Sequence, residues 1–535
     1  MAKALTRTCI CVISVILVLT PIGSWLSGQV LDLSSATISD INGAFDKGTL
    51  TSERLVELYL ARINAYENKG PHLNALITLN EHALETARAL DAERKTDGPR
   101  SLLHGIPVVL KDNIDTQDMA TTAGSILLKG SIPPNDAFIV TKLRQAGAII
   151  LGKTNMSEFA SGVTLSSVDG PMLNPHDLNR TPSGSSGGTG VAIAASYAQL
   201  GIGTDTGGSV RGPSSSNGIA GLKPTHGLLS RDGIVPLALS FDMAGPMARH
   251  IFDVAAMLSV MTGVDPNDPA TEKSSVAIGT DYTHYLNPNA LEGARIGVAR
   301  DFLGYDTEVD WIIEASLESM RNAGATIVDV RYPDWLLNAK ADFYTTIRWR
   351  EFKEQIETYL ATLDSKYPKT LEEMVKRSQQ ILAKGGKGER TNPTRWSLFQ
   401  DELNSGSLHD SDYLAMINHG MPLVREILQG LIAKQQLDAI VYPTSPRRPG
   451  PLGENRGPSS LDPAVSATNL ANLSGFPDLI VPAGFTSNGL PVGISFFGLP
   501  FSEPNLLGLG YAFEQITKSR RNPIHTPPLQ GEKIP

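Results

Sequence analysis

Apolar residues recur at three-and-four spacing through Leu55, Leu58, Tyr59, Ile63 and Tyr66, directly after Ser52-Glu53. That period predicts an amphipathic helix over 52–66 with the serine as its N-cap. A second helix is expected over 80–94. The pattern changes after Gly105, where 106–110 is a short β-branched and apolar run that predicts a buried strand ending on Lys111. Next, 136–147 reads as a helix, 148–151 as a strand and 152–155 as a turn, whereas 156–181 carries Gly, Pro, Asn and Ser throughout and reads as a loop. Small and apolar residues over 189–201 predict a buried helix between two glycine-rich turns. Further on, 218–222 is strand-like, 251–262 helical, and 292–330 reads as strand, helix, strand. Long helical patterns rich in Glu, Lys, Leu and Tyr fill 336–434. Sheet patterns return over 437–444, 469–484 and 489–494, and a closing helix is expected around 506–515.

With 535 residues, 41% hydrophobic and 19% charged, the chain has ample material for a large core. That length would permit two or three domains, but no long Pro/Gly/Ser linker divides it. Lys3 and Arg7, an apolar run over 9–22, and the small residues Ser24, Ser27 and Gly28 have the layout of a secretory signal peptide over 1–28, cleaved near Gly28. An uncleaved anchor is the alternative, although the run is short of the roughly 20 residues a span needs. Either way the body of the protein is expected outside the cytosol, secreted or periplasmic. Both cysteines, Cys9 and Cys11, fall inside this run, so the mature chain would have no disulfide, no thiol nucleophile and no thiolate metal site. The formal charge of −9 becomes −11 without Lys3 and Arg7, since 44 basic residues then face 55 acidic ones. A moderately acidic surface without a basic stripe argues against nucleic-acid binding. The ten histidines are scattered, with no H-E-x-x-H and no close His/Asp/Glu set, so no metal and no cofactor are expected.

Two short segments concentrate the candidate chemistry: 183–188, Ser-Gly-Ser-Ser-Gly-Gly, and 203–211, Gly-Thr-Asp-Thr-Gly-Gly-Ser-Val-Arg. Turns this rich in glycine and serine gather backbone N–H groups and hydroxyls with few bulky side chains in the way. Such a combination suits a serine nucleophile with an oxyanion site. Lys111, at its strand end, is either an ordinary cation that reaches solvent or a general base. The second role requires burial or neighbouring cations to lower its pKa until the neutral amine is populated.

The order Gly184-Ser-Ser-Gly-Gly188, a helix, Gly203-Thr-Asp-Thr-Gly-Gly-Ser-Val-Arg211 and Gly221-Leu-Lys-Pro-Thr225 resembles the amidase signature family. Upstream, His104-Gly-Ile-Pro and Lys111-Asp-Asn113 are similar to that family's H-G-I-P-x-x-x-K-D-N strand. Ser183 departs from the family glycine, at a position without a family catalytic role. The likeness runs from about Leu55 to about Glu514. It implies an α/β fold: one large mixed, twisted β-sheet flanked by helices on both faces, forming a single catalytic domain over 29–535 with 336–434 as a helical variable region.

The resemblance also implies a catalytic triad. Ser209 would be the nucleophile, Ser185 a bridging serine that follows a cis peptide bond, and Lys111 the terminal base. A serine hydroxyl needs a partner to take its proton during attack, and Ser185 can accept that proton while giving its own to a neutral lysine. Thr206, Gly207, Gly208 and Ser209 would offer backbone N–H groups to the oxyanion. Ser186 is expected to bond Lys111 or Ser185, and Asp205 with Arg211 to brace the loop as a structural ion pair. Met156 and Phe159, in the loop that borders the acyl pocket in family members, are specificity candidates, with core packing an equal reading for Phe159. The expected substrates are small-molecule or peptide amides, with water, acted on by a monomer or homodimer. The peptide amidase branch, which removes C-terminal amides, fits the signal-like start best. An aryl or fatty-acyl amidase, an esterase or a carbamate hydrolase would use the same atoms, and an amidotransferase subunit is the reading from another class.

A competing motif overlaps the first turn. Gly184 to Gly188 also satisfies G-x-S-x-G, the nucleophile elbow, which would make Ser186 the nucleophile with His226, His250 or His419 as its base. An elbow requires a preceding strand, and 174–182 reads as a polar, proline-broken loop. The loop over 445–462 is long and polar enough to be either a lid or a surface excursion. Sequons at Asn155, Asn179 and Asn472 are expected to stay unmodified, two of them lying near the predicted site.

Overall fold

The computed structural model describes residues 31–277, 279–385, 390–452 and 467–534. The signal-like segment 1–28 with Cys9 and Cys11, and most of the 445–462 loop, lie outside the described residues. Among the described residues no helix is long and apolar enough to cross a membrane.

Eleven strands form one mixed sheet. In chain order they are β1 (Leu76–Leu79), β2 (Pro107–Lys111), β3 (Ile149–Thr154), β4 (Leu200–Asp205), β5 (Ala220–Lys223), β6 (Met243–Ala248), β7 (Arg295–Ala299), β8 (Thr326–Val330), β9 (Ala439–Pro443), β10 (Asp478–Phe485) and β11 (Pro491–Phe497). Across the sheet the order is β8-β7-β9-β11-β10-β5-β6-β4-β2-β3-β1. Parallel pairs stand towards both ends, β7 with β8 and β9, and β2 with β3 and β4, and the centre is antiparallel. Helices pack against this sheet and bury the main apolar core, including Val108, Val109 and Leu110 of β2, all without exposure. Strands covered on both faces show continuous apolar runs rather than alternation, which is how 106–110 reads.

The stretch that carries the two glycine-rich turns differs from its sequence expectation in one element. The helix predicted over 189–201 ends at Ala194, as α1 (Gly187–Ala194), and the chain re-enters the sheet at Leu200. All six residues of β4 are buried, so no alternation marks it. Its glycines admit a close neighbour: a Cβ at Gly203 would stand 2.8 Å from Ser186 Oγ. After β4 comes a five-residue turn, then the short helix α2 (Arg211–Asn217). The parallel register places Leu110 of β2 opposite Ile202 of β4, so Lys111 ends beside Thr204.

Smaller differences are local. The first predicted helix spans Ser52–Ile63 and is capped by Thr51, whose hydroxyl accepts from Arg54 N–H at 3.1 Å, because the Ser52 N–H is taken by Asp91. The predicted sheet segment 469–484 opens with a helix, Asn469–Ser474, before β10. The helical region holds α3 (Asp334–Ala361), a 28-residue helix, followed by Leu371–Ala383, Pro393–Leu403 and Met421–Gln435. It rests on two apolar clusters of its own, one around Phe241, Tyr344 and Tyr442 and one around Phe159, Phe352 and Phe399.

Candidate active site

Strand β2 delivers Lys111 into a fully enclosed position. Its Nζ lies 2.7 Å from Ser185 Oγ, 2.7 Å from Thr204 Oγ1 and 3.3 Å from the Thr204 carbonyl oxygen. Burial lowers its pKa to about 7, against the opposing pull of the carboxylates Asp205 and Asp242. As an ammonium the group can donate to all three oxygens, and as a neutral amine it can keep two N–H groups on Thr204 and offer its lone pair to the Ser185 hydroxyl. Asn113 Nδ2 donates to the same Thr204 hydroxyl at 3.0 Å and fixes it as an acceptor.

The Gly184-Ser185 peptide bond is cis. Ser185 is held by the Ser157 N–H, which donates to its carbonyl at 3.0 Å, and by Lys111. Ser209 joins this pair through the backbone, since the Ser186 N–H donates to the Ser209 carbonyl at 3.2 Å. Ser209 is 6% exposed and Ser185 3%. Lys111, Ser185 and Ser209 are thus collected from a strand end, a loop and a strand-to-helix turn.

The loop between β4 and α2 is tied down from inside. Asp205 accepts from the N–H groups of Gly208 and Val210, each at 2.9 Å, and pairs with Arg211 at 2.9 Å. Arg211 also reaches Asp478 at 2.9 Å and the Thr468 carbonyl at 2.8 Å, all fully buried. Burial works to raise the Asp205 pKa, but the Arg211 guanidinium, Asn472 and the backbone donors hold it well below the usual carboxylate range. Breaking such a pair by removing one partner costs about 3–5 kcal/mol. One expected oxyanion donor is therefore already committed: the Gly208 N–H belongs to Asp205. Among the described residues no acceptor within the chain takes the N–H groups of Thr206, Gly207 and Ser209. Gly208 has φ +128°, a backbone conformation that favours glycine.

Ser186 does not contact Lys111 or Ser185 as expected. Its hydroxyl donates to the Thr204 carbonyl at 3.1 Å and accepts from the Thr204 N–H at 3.2 Å, because the buried start of α1 faces β4. Both capacities being used, Ser186 is a brace. The strand-turn-helix setting that an elbow needs surrounds Ser209 instead. Of the proposed bases, His226 Nε2 bonds the Leu239 carbonyl at 2.9 Å and is lowered to about 4 by burial and Arg231, His250 bonds the Ser35 carbonyl at 3.0 Å, and His419 is exposed.

Met156 and Phe159 lie in an apolar cluster under the helical layer. Phe159 packs edge-on against Phe399 and Phe352, with centroids 5.5 and 6.2 Å apart, and has φ +47°. Neighbouring Glu158 fastens the loop to that layer by accepting from Ser125 Oγ at 2.6 Å and Trp396 Nε1 at 2.9 Å. Packing accounts for both candidates. Asn155 and Asn472, two of the sequon asparagines, are buried and hydrogen-bonded, Asn472 to Asp205 at 2.9 Å.

Three further residues at the site were not singled out from the sequence. Thr204 orients Lys111. Asp242 takes the Thr206 hydroxyl at 2.5 Å and the N–H groups of Leu237 and Ala238 at 2.8 and 3.0 Å. Thr468 Oγ1 donates to the Gly207 carbonyl at 2.8 Å. Thr204 lies within the 203–211 motif, where its place beside Asp205 was the available signal; Asp242 and Thr468 are set by folding alone.

A family model described as amidase matches residues 54–507. A glutamyl-tRNA(Gln) amidotransferase subunit from Thermoanaerobacter pseudethanolicus is 36% identical over 507 residues, covering 92% of this chain and 99% of that protein. A probable amidase from Arabidopsis thaliana is 33% identical over 508 residues, covering 92% of each. Among solved structures, the native peptide amidase from Stenotrophomonas maltophilia superposes with a TM-score of 0.83 at 36% identity, over 92% of this chain and 99% of that one.

Proposed function

This chain belongs to the amidase family, and from that premise we propose that it hydrolyses linear carboxamides through an acyl-enzyme on Ser209. The observation that carries this reading is the buried Lys111 amine, 2.7 Å from Ser185 Oγ and with its other contacts on Thr204. Ser209 Oγ attacks the amide carbon as its proton passes to Ser185 Oγ, and the Ser185 proton passes to Lys111 Nζ. The carbonyl oxygen becomes an oxyanion among the N–H groups of Thr206, Gly207 and Ser209. Each such donor contributes about 3–4 kcal/mol in well-studied hydrolases. Collapse of the intermediate returns the proton from Lys111 through Ser185 to the leaving nitrogen, and the amine departs. Water then attacks the acyl carbon as its proton passes through Ser185 to Lys111, and collapse breaks the ester bond, returning that proton through Ser185 to Ser209 Oγ as the acid is released.

C-terminal peptide amides are the substrate class we favour, on the likeness to a peptide amidase. The layout of residues 1–28 supports export, outside or into the periplasm. The relatives named as amidotransferase subunits favour a second reading, in which the same site serves one subunit of an assembly. Purified full-length chain, given peptide, aryl and fatty amides and esters with chelator present, decides between them. Turnover without added protein, lost in Ser209→Ala and Lys111→Ala, is the expected result. Full activity in Ser209→Ala would reject the mechanism, and activity only with added partner proteins would favour the subunit.

A further inference from the structure

One hydroxyl of the helical layer reaches the loop that carries Ser209. Tyr344 of α3 is 4% exposed and stacks on Phe241, with ring centroids 5.4 Å apart and planes at 20°. Its Oη is directed at Gly207, where a Cβ would stand 2.6 Å from the oxygen. Glycine is required at 207 because the phenol fills the space of a side chain. Gly207 is held from another direction by Thr468, so the loop has no room to retreat from the ring.

Other tyrosines around the helical layer use their hydroxyls within the protein. Tyr359 donates to Asp115 at 2.9 Å, Tyr413 to Glu351 at 3.0 Å and Tyr442 to Asp478 at 2.6 Å. Among the described residues no group takes the Tyr344 hydroxyl. Burial, with Asp242 and Asp205 nearby, pushes the phenol above its ordinary range, so it stays a donor. Beside Gly207 it is a donor within reach of a ligand bound at that loop.

We propose that Tyr344 is a specificity-determining residue, donating to a carbonyl oxygen of the acyl part of the substrate, one peptide unit before the scissile carboxamide. The consequence is a preference for N-acylated amino acid amides and peptide amides over amides with a purely hydrocarbon acyl chain. This inference rests on the amide-hydrolase reading above and names the substrate class of that site.

The test compares full-length wild type with Tyr344→Phe on two amides of similar size, N-acetylphenylalanine amide and 3-phenylpropanamide. The substitution keeps the ring and its stack on Phe241 and removes only the donor. The expected result is a fall of about tenfold in kcat/KM on the acetylated amide, carried mainly by KM, with 3-phenylpropanamide unchanged. An equal loss on both amides, a loss confined to kcat on both, or no change on either would overturn the proposal. Ser209→Ala, measured in parallel, separates the two levels. If it is inactive while Tyr344→Phe is unselective, only the specificity proposal fails. If Ser209→Ala stays active, or if the wild type turns over neither amide, the hydrolase reading falls and the proposal with it.

Discussion

Lys111 and Lys223 end two strands of the same sheet, β2 and β5, and their burial is nearly identical, at 0% and 1% exposure. In both, burial is the main cause that lowers the pKa to about 7. Their partners differ. Lys111 meets two hydroxyls, Ser185 and Thr204, and one carbonyl; Lys223 donates to the carbonyls of Pro224 at 2.9 Å and Phe476 at 2.8 Å. A carbonyl only accepts, so the Lys223 amine ties two backbone segments together. A hydroxyl can also give a proton, so the Lys111 amine has something to take. The depressed pKa, common to both, therefore does not mark a base in this protein, and the proposed role of Lys111 rests on the chemistry of the facing atom.

The largest effect expected from this contrast is on catalysis. Lys111→Met keeps the length and apolar stem of the side chain and removes the proton acceptor. It should lower kcat/KM on carboxamides by about 10⁴-fold, the order seen when a member of a proton-relay set is lost. The melting temperature should not fall, because a buried amine is replaced by an apolar group. Steady-state kinetics beside a thermal melt would show it, and activity within tenfold of wild type would break the comparison. Lys223→Met should do the opposite. It strands two buried carbonyls, each costing about 1–3 kcal/mol, so urea unfolding should report a loss of about 2–4 kcal/mol, with kcat/KM per folded molecule within about threefold. A loss of activity matching that of Lys111→Met would show that the two sites are not separable.

Much of this arrangement was legible in the residues, for a physical reason. The turns at 183–188 and 203–211 must be small, because a Cβ at Gly203 meets Ser186 and one at Gly207 meets Tyr344, so composition marks them. The place of Lys111 at a strand end was legible in the short apolar run before it, whereas its role came only with the family resemblance. Strand β4 was not, since six buried residues with three small or glycine positions look the same in a helix as in a central strand. The bracing of the 203–211 loop was legible only in part. Asp205 and Arg211 are six residues apart, but Asp478 and Thr468 come from 267 and 257 residues beyond Arg211, and nothing local marks them. Tyr344 lies within a long helix whose exposed and buried positions give no weight to one tyrosine, and its meaning comes from Gly207 on another element.

A smaller effect sharpens the contrast at Lys111 itself. Thr204→Val keeps the shape of the side chain but removes the acceptor shared by Lys111 Nζ and Asn113 Nδ2. The amine then loses the contact that turns its lone pair toward Ser185. A fall of about tenfold in kcat, with KM little changed, is expected, equivalent to one hydrogen bond of ordinary strength. Thr204→Ser, which restores the hydroxyl, should recover most of it. If Thr204→Val is as fast as wild type while Thr204→Ser is slow, packing of the methyl group rather than the hydrogen bond is what matters there.

The finest test uses pH, since the two lysines should separate in activity but not in stability. In the proposed mechanism activity needs neutral Lys111, so kcat/KM should rise with pH through about 7 and then level off. Stability follows a different window. In the unfolded chain each lysine titrates near about 10.4, so between about 7 and that value the unfolded state binds a proton that the folded state has lost. Stability therefore rises with pH across this window, by up to about 1.4 kcal/mol per pH unit for each lysine. Below about 7 both states are protonated and this contribution is absent; above the unfolded value it is fully present and flat. Lys223→Met should remove one lysine's share of the slope, measured by urea unfolding at about pH 7.5, 8.5 and 9.5, while leaving the activity midpoint in place. Lys111→Met should remove an equal share of the slope and the activity together. An activity midpoint that moves in Lys223→Met by more than the small change expected from losing a distant charge would mean that the two amines titrate as one system, and that the proton taken from Ser185 is shared with the brace.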